Sequence, residues 1–154
     1  MGARFHVLCV GRSRCDWAGA AVADYTKRIG RMGGVAEVAV RQEPFKGDVA
    51  AVQAAEAERL LAAVPNRGRL VALDERGERL DTEGFAALVR EGRDQGPVAF
   101  ALGGPYGHGA AARDRAWRTV RLSDLVLNHE VARVLLYEQL YRALTVIEGI
   151  PYHH

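Results

Sequence analysis

A short apolar run that ends in glycines limits the folds that this chain can adopt. Val98–Leu102 follows Pro97 and is typical of a central strand of a parallel sheet, buried on both faces. Gly103, Gly104 and Gly107 then interrupt regular structure. Because a ligand can approach a glycine backbone closely at the carboxyl end of such a strand, we expect a binding site there.

Strands and helices alternate along the rest of the chain. The pattern predicts further strands at Phe5–Val10, Val35–Val40, Leu70–Leu73 and Thr119–Leu122. It predicts helices at about Trp17–Arg31 with Asp16 as its cap, Asp48–Val64, a segment after Asp81 or Thr82 carrying Phe85, Leu88 and Val89, Ala110–Trp117, and Glu130–Glu148. This alternation predicts an α/β fold, a mostly parallel sheet flanked by helices, with residues 1–154 as a single domain.

The last predicted helix is apolar on two faces. One stripe contains Leu136, Leu140, Leu144 and Ile147, and a second contains Val134, Tyr137 and Tyr141. A helix of this kind must bury both faces. We expect one face to meet the sheet and the other to meet a partner subunit, although a helix enclosed within one subunit gives the same pattern.

Composition narrows the class of protein. No apolar run approaches the roughly 20 residues of a membrane span, and the N-terminal apolar run is too short for a secretion signal. The two cysteines have no metal-site spacing and fit reduced thiols, so we expect a cytoplasmic protein that binds no metal. The net charge is +2, and 19 of the 21 basic residues are arginines, which suits phosphate contacts but also fits a solvated surface.

One glycine motif suggests a nucleotide cofactor. Residues 107–112, Gly-His-Gly-Ala-Ala-Ala, match a relaxed dinucleotide-binding pattern, with Asp124 in the place of the ribose carboxylate. The match lies too near the end of the chain for a complete dinucleotide fold.

Several motifs together resemble a known family. They are Leu73-Asp74, Gly103-Gly104-Pro105-x-Gly107, Leu122-Ser123-x-Leu125-x-Leu127-x-His129, the segment from Arg133 to Ala143, and the terminal Pro151-Tyr152-His153. In these positions and in length, the sequence resembles the large-subunit ribosomal RNA methyltransferase H family of the SPOUT methyltransferases. Asn128 stands where the family has proline, and Gly149-Ile150 departs from its Asn-His.

The resemblance implies a SPOUT-type fold with a C-terminal trefoil knot, a homodimer and S-adenosyl-L-methionine as methyl donor. It implies methyl transfer to N3 of a pseudouridine in the helix 69 loop of 23S rRNA, in the assembled ribosome. Three segments can converge to hold the donor: Leu73, Gly103 with Gly104, and Leu122, Ser123, Asp124, Leu125, Val126 and Leu127. A side chain on Gly103 is expected to fill the adenosyl slot.

The same resemblance directs attention to four catalytic candidates. Methyl transfer requires alignment of nucleophile and methyl, and N3 of pseudouridine must lose a proton. We assign these tasks to His129, Arg142, Tyr152 and His153. Arg142 also has a helical partner in Glu138, and His129 is also a possible cap of the last helix.

A short polar chain end such as residues 151–154 is normally disordered unless it packs against the rest of the protein. We expect residues 151–154 to fold over the donor site.

An alternative function is that of a non-catalytic ribosome-binding protein with the same fold. Transfer of a radiolabelled methyl group by the protein would exclude this alternative.

Overall fold

The computed structural model describes residues 2–154, which form a five-stranded sheet with helices on both faces. The strands are β1 (Phe5–Val10), β2 (Val35–Val40), β3 (Arg69–Arg79), β4 (Val98–Leu102) and β5 (Arg118–Arg121). The helices are α1 (Asp16–Ile29), α2 (Val49–Ala62), α3 (Thr82–Gln95), α4 (Ala110–Arg115) and α5 (His129–Glu148), and a 3-10 turn (Gly30–Met32) follows α1. The order is β2-β1-β4-β3-β5 and every pair is parallel, which confirms the predicted α/β fold.

Alternating strand residues divide the core into two layers. Val98 and Phe100 pack with α1, α3 and α5, whereas Ala99 and Ala101 pack with Leu60 of α2. Because β4 lies at the centre and is covered on both sides, its run is apolar throughout, as the sequence predicted. The trefoil knot implied by the resemblance stays a prediction.

β3 is longer than the predicted Leu70–Leu73. Its pairing with β5 breaks after Leu73 and resumes at Glu78 and Arg79. Arg118 holds the resumed segment through two hydrogen bonds to Glu78, of 3.0 and 2.6 Å. The polar residues 74–77 therefore form an irregularity within a strand, because pairing with a later strand continues beyond them.

The second apolar stripe of α5 does not form a free face. Tyr137 is buried in the same core as Leu136 and Leu140, and Val134 and Tyr141 are half-buried against it. The Tyr137 hydroxyl donates to Glu37 of β2 at 2.7 Å, so this chain itself supplies the polar partner that a buried phenol requires. These contacts match the alternative of a helix enclosed within one subunit, and the homodimer stays a prediction.

Two helix starts also differ from expectation. Cys15 occupies the cap position of α1, and Asp16 is its first helical residue, where the helix dipole favours a carboxylate. Asn128, not His129, caps α5, because its side chain accepts a hydrogen bond from the Glu130 N–H at 2.8 Å. Within residues 2–154, no helix combines the length and the apolar character that a bilayer span requires.

Candidate functional site

A cleft of about 460 Å³ lies where β4 and β5 end and where β3 becomes irregular. These three strands are neighbours in the sheet, and the irregular segment of β3 begins after Leu73, which is paired with the last residue of β4. The cleft is lined by all nine residues that we predicted to hold a cofactor: Leu73, Gly103, Gly104, Leu122, Ser123, Asp124, Leu125, Val126 and Leu127. Their shared position is an observation, and their role in binding stays a prediction.

The glycine loop after β4 forms one wall of the cleft. A turn closes it, with the Gly107 N–H donating to the Gly104 carbonyl at 2.9 Å. A Cβ on Gly103 would lie 3.0 Å from the backbone carbon of Gly107, and one on Gly104 would lie 2.6 Å from Oε1 of Glu56. A side chain on Gly103 would therefore press against the backbone of the loop, and one on Gly104 would displace the Glu56 carboxylate. The expectation that a side chain on Gly103 fills the adenosyl slot stays a prediction.

His108 fastens the glycine loop to the sheet. Its buried Nε2 lies 2.9 Å from the Ala101 carbonyl of β4 and is placed to donate to it. Burial lowers the pKa of His108 below its ordinary value, so the neutral ring is favoured. Arg113 donates to the His108 carbonyl at 2.9 Å and holds the same residue from α4.

The opposite wall is the loop from Leu122 to Leu127. The Ser123 hydroxyl accepts from the Leu125 N–H at 2.9 Å. The Asp124 carboxylate accepts from Arg121 and from Arg79, each at 3.0 Å, and the hydrogen bond from Arg121 is the main cause that lowers its pKa. These two side chains order the loop, which leaves its leucines and backbone groups to contact a ligand.

The four catalytic candidates divide into two groups. His129 is the first residue of α5 and lines the cleft, whereas Arg142, Tyr152 and His153 are absent from the residues that line it. Arg142 is thirteen positions after His129 in the chain, which corresponds to a rise of about 20 Å along a helix. One copy of the chain therefore does not bring all four side chains to one reacting atom.

The second group is organised around Glu138. Its Oε1 accepts from Nε and Nη2 of Arg142, at 3.0 and 2.7 Å, and from the Tyr152 hydroxyl at 3.0 Å. The Arg142 guanidinium lies 4.7 Å from the centre of the Tyr152 ring, and its Nη1 contacts Nδ1 of His153 at 3.0 Å. Burial and hydrogen bonds to Tyr25 and Glu138 raise the pKa of Tyr152, so its hydroxyl keeps its proton.

The terminal residues therefore have partners on their own helix. Tyr152 also meets the ring of Tyr141 edge to face, with centroids 4.7 Å apart. Tyr152 and His153 contact α5, and residues 151–154 line no part of the cleft in their own chain. Our expectation that they fold over the donor site is wrong for a single copy of this chain.

The cleft also contains residues that the sequence analysis did not assign. Asp74 follows Leu73, has an almost fully buried side chain, accepts from the Arg76 N–H at 2.9 Å and lies 3.8 Å from Arg113. Tyr106 and Arg121 line it as well. The position of Asp74 directly after the predicted strand Leu70–Leu73 was a signal that could have revealed it, whereas nothing marked Gln53, which reaches the cleft from α2.

The chemistry available here is binding and alignment. The residues that the structure describes contain no group of three or more histidine, cysteine, aspartate and glutamate side chains arranged to hold a metal ion. The cleft combines apolar leucines, bare glycine backbone, a buried carboxylate and a histidine at its edge. Such a set can enclose a small organic molecule and fix its orientation.

Comparison with known proteins identifies the family. A family model described as "Predicted SPOUT methyltransferase" matches residues 3–153. The protein named "Ribosomal RNA large subunit methyltransferase H" of Geobacter sp. (strain M21) is 40% identical over 154 residues, which cover 98% of this chain and 99% of that protein. Its namesake from Paracidovorax citrulli (strain AAC00-1) is 45% identical over 149 residues, 96% of each chain.

Two solved structures share the fold. A probable methyltransferase from Bordetella pertussis Tohama I aligns with a TM-score of 0.57 and 23% identity, over 92% of this chain and 95% of that one. A probable methylase family protein from Haemophilus influenzae Rd KW20 aligns with a TM-score of 0.59 and 14% identity, over 96% and 67%. Since the family model spans nearly the whole chain and relatives near 40% identity match it over almost their full length, this chain belongs to the SPOUT methyltransferase family.

Proposed function

We propose that this protein methylates large-subunit ribosomal RNA with S-adenosyl-L-methionine as donor. The specific reaction proposed is transfer to N3 of a pseudouridine in the helix 69 loop of 23S rRNA, within the assembled ribosome. The proposal depends on one observation. The cleft formed by β3, β4 and β5 is lined by every residue that we predicted to bind the donor, and the chain belongs to a methyltransferase family. The RNA class follows from the name that relatives of about 40% identity bear.

The cleft suits the donor in size and chemistry. Its volume of about 460 Å³ lies within the range of roughly 300–1,000 Å³ usual for small-molecule sites. Gly103 and Gly104 expose backbone on one side, and Leu122, Leu125 and Leu127 offer apolar contacts on the other. The nearly buried Asp74 carboxylate adds a negative group for the cationic end of the donor.

The residues of this chain would align the reactants and control one proton. When bound, the donor supplies a methyl group already activated on a sulfonium, so the protein need not form a covalent bond. His129 lies at the edge of the cleft, where it can accept the N3 proton or hold the base. Arg142 supplies positive charge for an oxygen of the base, and Tyr152 supplies a protonated hydroxyl and an aromatic face.

We infer that a homodimer completes the site. Arg142 lies about 20 Å along α5 from His129, so a second copy must supply it if both act on one base. Leu125 and Val126 at the edge of the cleft are 76% and 90% exposed, and Val131 nearby is also exposed. Burying these side chains against another copy is favourable. On this proposal, residues 1–154 act as a single domain in the cytoplasm.

Transfer of labelled methyl groups tests the proposal directly. Purified protein is incubated with methyl-labelled donor and ribosomes from a strain that lacks the enzyme, and the modified RNA is mapped by mass. Label in a pseudouridine of large-subunit RNA is the expected result, and absence of transfer contradicts the proposal.

Calorimetry tests the donor site separately. The protein should bind the donor in preference to a dinucleotide, and a folded Gly103→Val variant should lose this binding.

A further inference from the structure

The sheet edge that contains the cleft continues beyond it. The cleft takes its walls from the irregular segment of β3 and from the loops after β4 and β5. Because β1 and β2 lie next to β4 in the order β2-β1-β4-β3-β5, the loops 11–15 and 41–48 extend the same edge. This second half of the edge has no part in the proposed donor site.

Exposed aromatic side chains lie along this edge of the sheet. Among residues 2–154, the exposed aromatic side chains are Trp17, Phe45 and Tyr106, and each closely follows a strand that ends here. Phe45 and Tyr106 are 52% and 40% exposed and stack on each other, with centroids 5.4 Å apart and planes at 26°. Gln53 fixes the pair by donating to the Tyr106 carbonyl at 2.9 Å.

The aromatic pair joins the cleft directly. Tyr106 lines the cleft, whereas Phe45 lies outside its lining. A nucleic acid strand that places one base in the cleft would therefore meet the pair with a neighbouring base. Aromatic faces of this kind bind unpaired bases by stacking.

Exposed basic residues lie on the two loops 11–15 and 41–48. Arg12, Arg14 and Lys46 are exposed, and none forms an ion pair with any residue from 2 to 154. Within the loop 41–48 the acidic groups are engaged, because Glu43 pairs with Arg59 at 2.5 Å and Asp48 caps α2, whereas Asp16 beside the loop 11–15 is exposed. Free cations beside stacked aromatic rings are complementary to a single-stranded phosphate backbone.

We propose that Phe45 and Tyr106 form a stacking platform for an unpaired base next to the methylated nucleotide, with Arg12, Arg14 and Lys46 binding its phosphates. The inference rests on the proposed function and adds a second RNA subsite to it. It explains why two large aromatic rings remain exposed, one at the donor cleft and one beside it. It also predicts that Phe45 contributes to RNA binding and not to donor binding.

Steady-state methyl transfer to ribosomes tests the platform. Phe45→Ala should raise KM for ribosomes about tenfold, the effect of losing one stacked base, while kcat and donor affinity stay near wild type. Phe45→Trp should retain wild-type KM because it keeps the aromatic face. Phe45→Leu should behave like Phe45→Ala, and because leucine keeps most of the apolar volume it still gives an answer if the alanine variant fails to fold.

Arginine variants test the binding of phosphates. Arg14→Gln should weaken RNA binding and reduce the slope of log KM against log salt concentration by about 0.7–0.9 for each phosphate that the protein no longer neutralises. Arg31→Gln is the matched control, because Arg31 is also exposed but lies near the amino-terminal edge of the sheet. An equal effect of both substitutions would mean a general charge effect and would overturn the phosphate assignment.

Other outcomes separate this inference from the proposed function. If wild-type protein methylates ribosomes and Phe45→Ala has the same KM, the platform is wrong and the function stands. If Phe45→Ala weakens donor binding or dissociates a dimer, the pair belongs to the donor site or a subunit interface, and the inference is again wrong. If wild-type protein transfers no methyl group, both proposals fail.

Discussion

Gly77 of β3 lies directly against the backbone of Val120 in β5. A Cβ built on Gly77 would be 2.6 Å from both the nitrogen and the carbonyl carbon of Val120. No side-chain rotation can relieve a contact with backbone atoms. The irregular segment 74–77 can therefore cross β5 only because this position has no side chain.

Gly77→Ala should destabilise the fold by at least about 2 kcal/mol, because β3 and β5 must separate to accept the methyl group. Chemical denaturation measures the loss. Gly19→Ala is the matched control: Gly19 lies within α1 with no atom near its Cβ direction, so this substitution should stabilise by about 0.5–1 kcal/mol. Equal stability of Gly77→Ala and the wild type would contradict the close approach.

The ion pair between the buried Arg133 and the partly exposed Glu37 should behave differently when one or both partners are removed. Arg133 donates to Glu37 from Nε and Nη2, at 2.9 and 2.7 Å, and joins α5 to β2. Arg133→Met should cost about 1–3 kcal/mol, because it removes both of these hydrogen bonds to the Glu37 carboxylate. The double variant with Glu37→Leu should recover much of that loss. Additive losses in the double-mutant cycle would show that the pair is not coupled.

His108 should make stability depend on pH. Its pKa in the folded protein lies below the ordinary 6.5, chiefly because of burial, so protonation favours the unfolded chain. Its contribution is present above pH 6.5 and is lost as the pH falls toward the folded-state pKa. His108→Gln should flatten the fall in stability below that pH, whereas His154→Gln at the exposed chain end should not. Identical pH profiles for His108→Gln and the wild type would refute this role.

The sequence predicted correctly those elements that are defined by a pattern within a few neighbouring residues. β1, β2 and β4 have the predicted limits, since each is a short apolar run closed by glycine, proline or polar residues. β3 was underestimated because Glu78 and Arg79 are polar, and their strand pairing depends on β5, which lies about forty residues later.

The same distinction applies to the site. That the loops after neighbouring parallel strands meet at one edge could be expected from the fold, whereas the individual cleft residues came from the family resemblance. The attachment of Tyr152 to Glu138 could not be predicted, because it depends on how the terminal segment folds back on α5. The partner of Tyr137 could not be predicted for a similar reason, since its acceptor Glu37 lies 100 residues earlier in the chain.

Removing residues 151–154 should reduce methyl transfer with little loss of stability. These residues lie on the surface of α5, so the core remains intact. Transfer to ribosomes should fall at least about tenfold, which corresponds to roughly 1.4 kcal/mol of lost alignment. Tyr152→Ala should reproduce most of the effect, and His154→Ala is the control. Full transfer by the shortened chain would remove Tyr152 and His153 from the proposed site.

Mixed dimers test whether the two groups of catalytic candidates meet across a subunit interface. One chain carries Gly103→Val, which distorts the cleft, and the other lacks residues 151–154. Each pure variant should be nearly inactive. If each site combines the cleft of one copy with the terminal segment of the other, a heterodimer has one intact site. Random pairing of equal amounts of the two chains makes half of the dimers heterodimers, each with one intact site of two, and should restore about a quarter of wild-type activity.

Coexpression of the two chains with different affinity tags yields the heterodimer for assay. If the purified heterodimer stays inactive, each site belongs to one chain, and the role of Arg142, Tyr152 and His153 in catalysis is wrong.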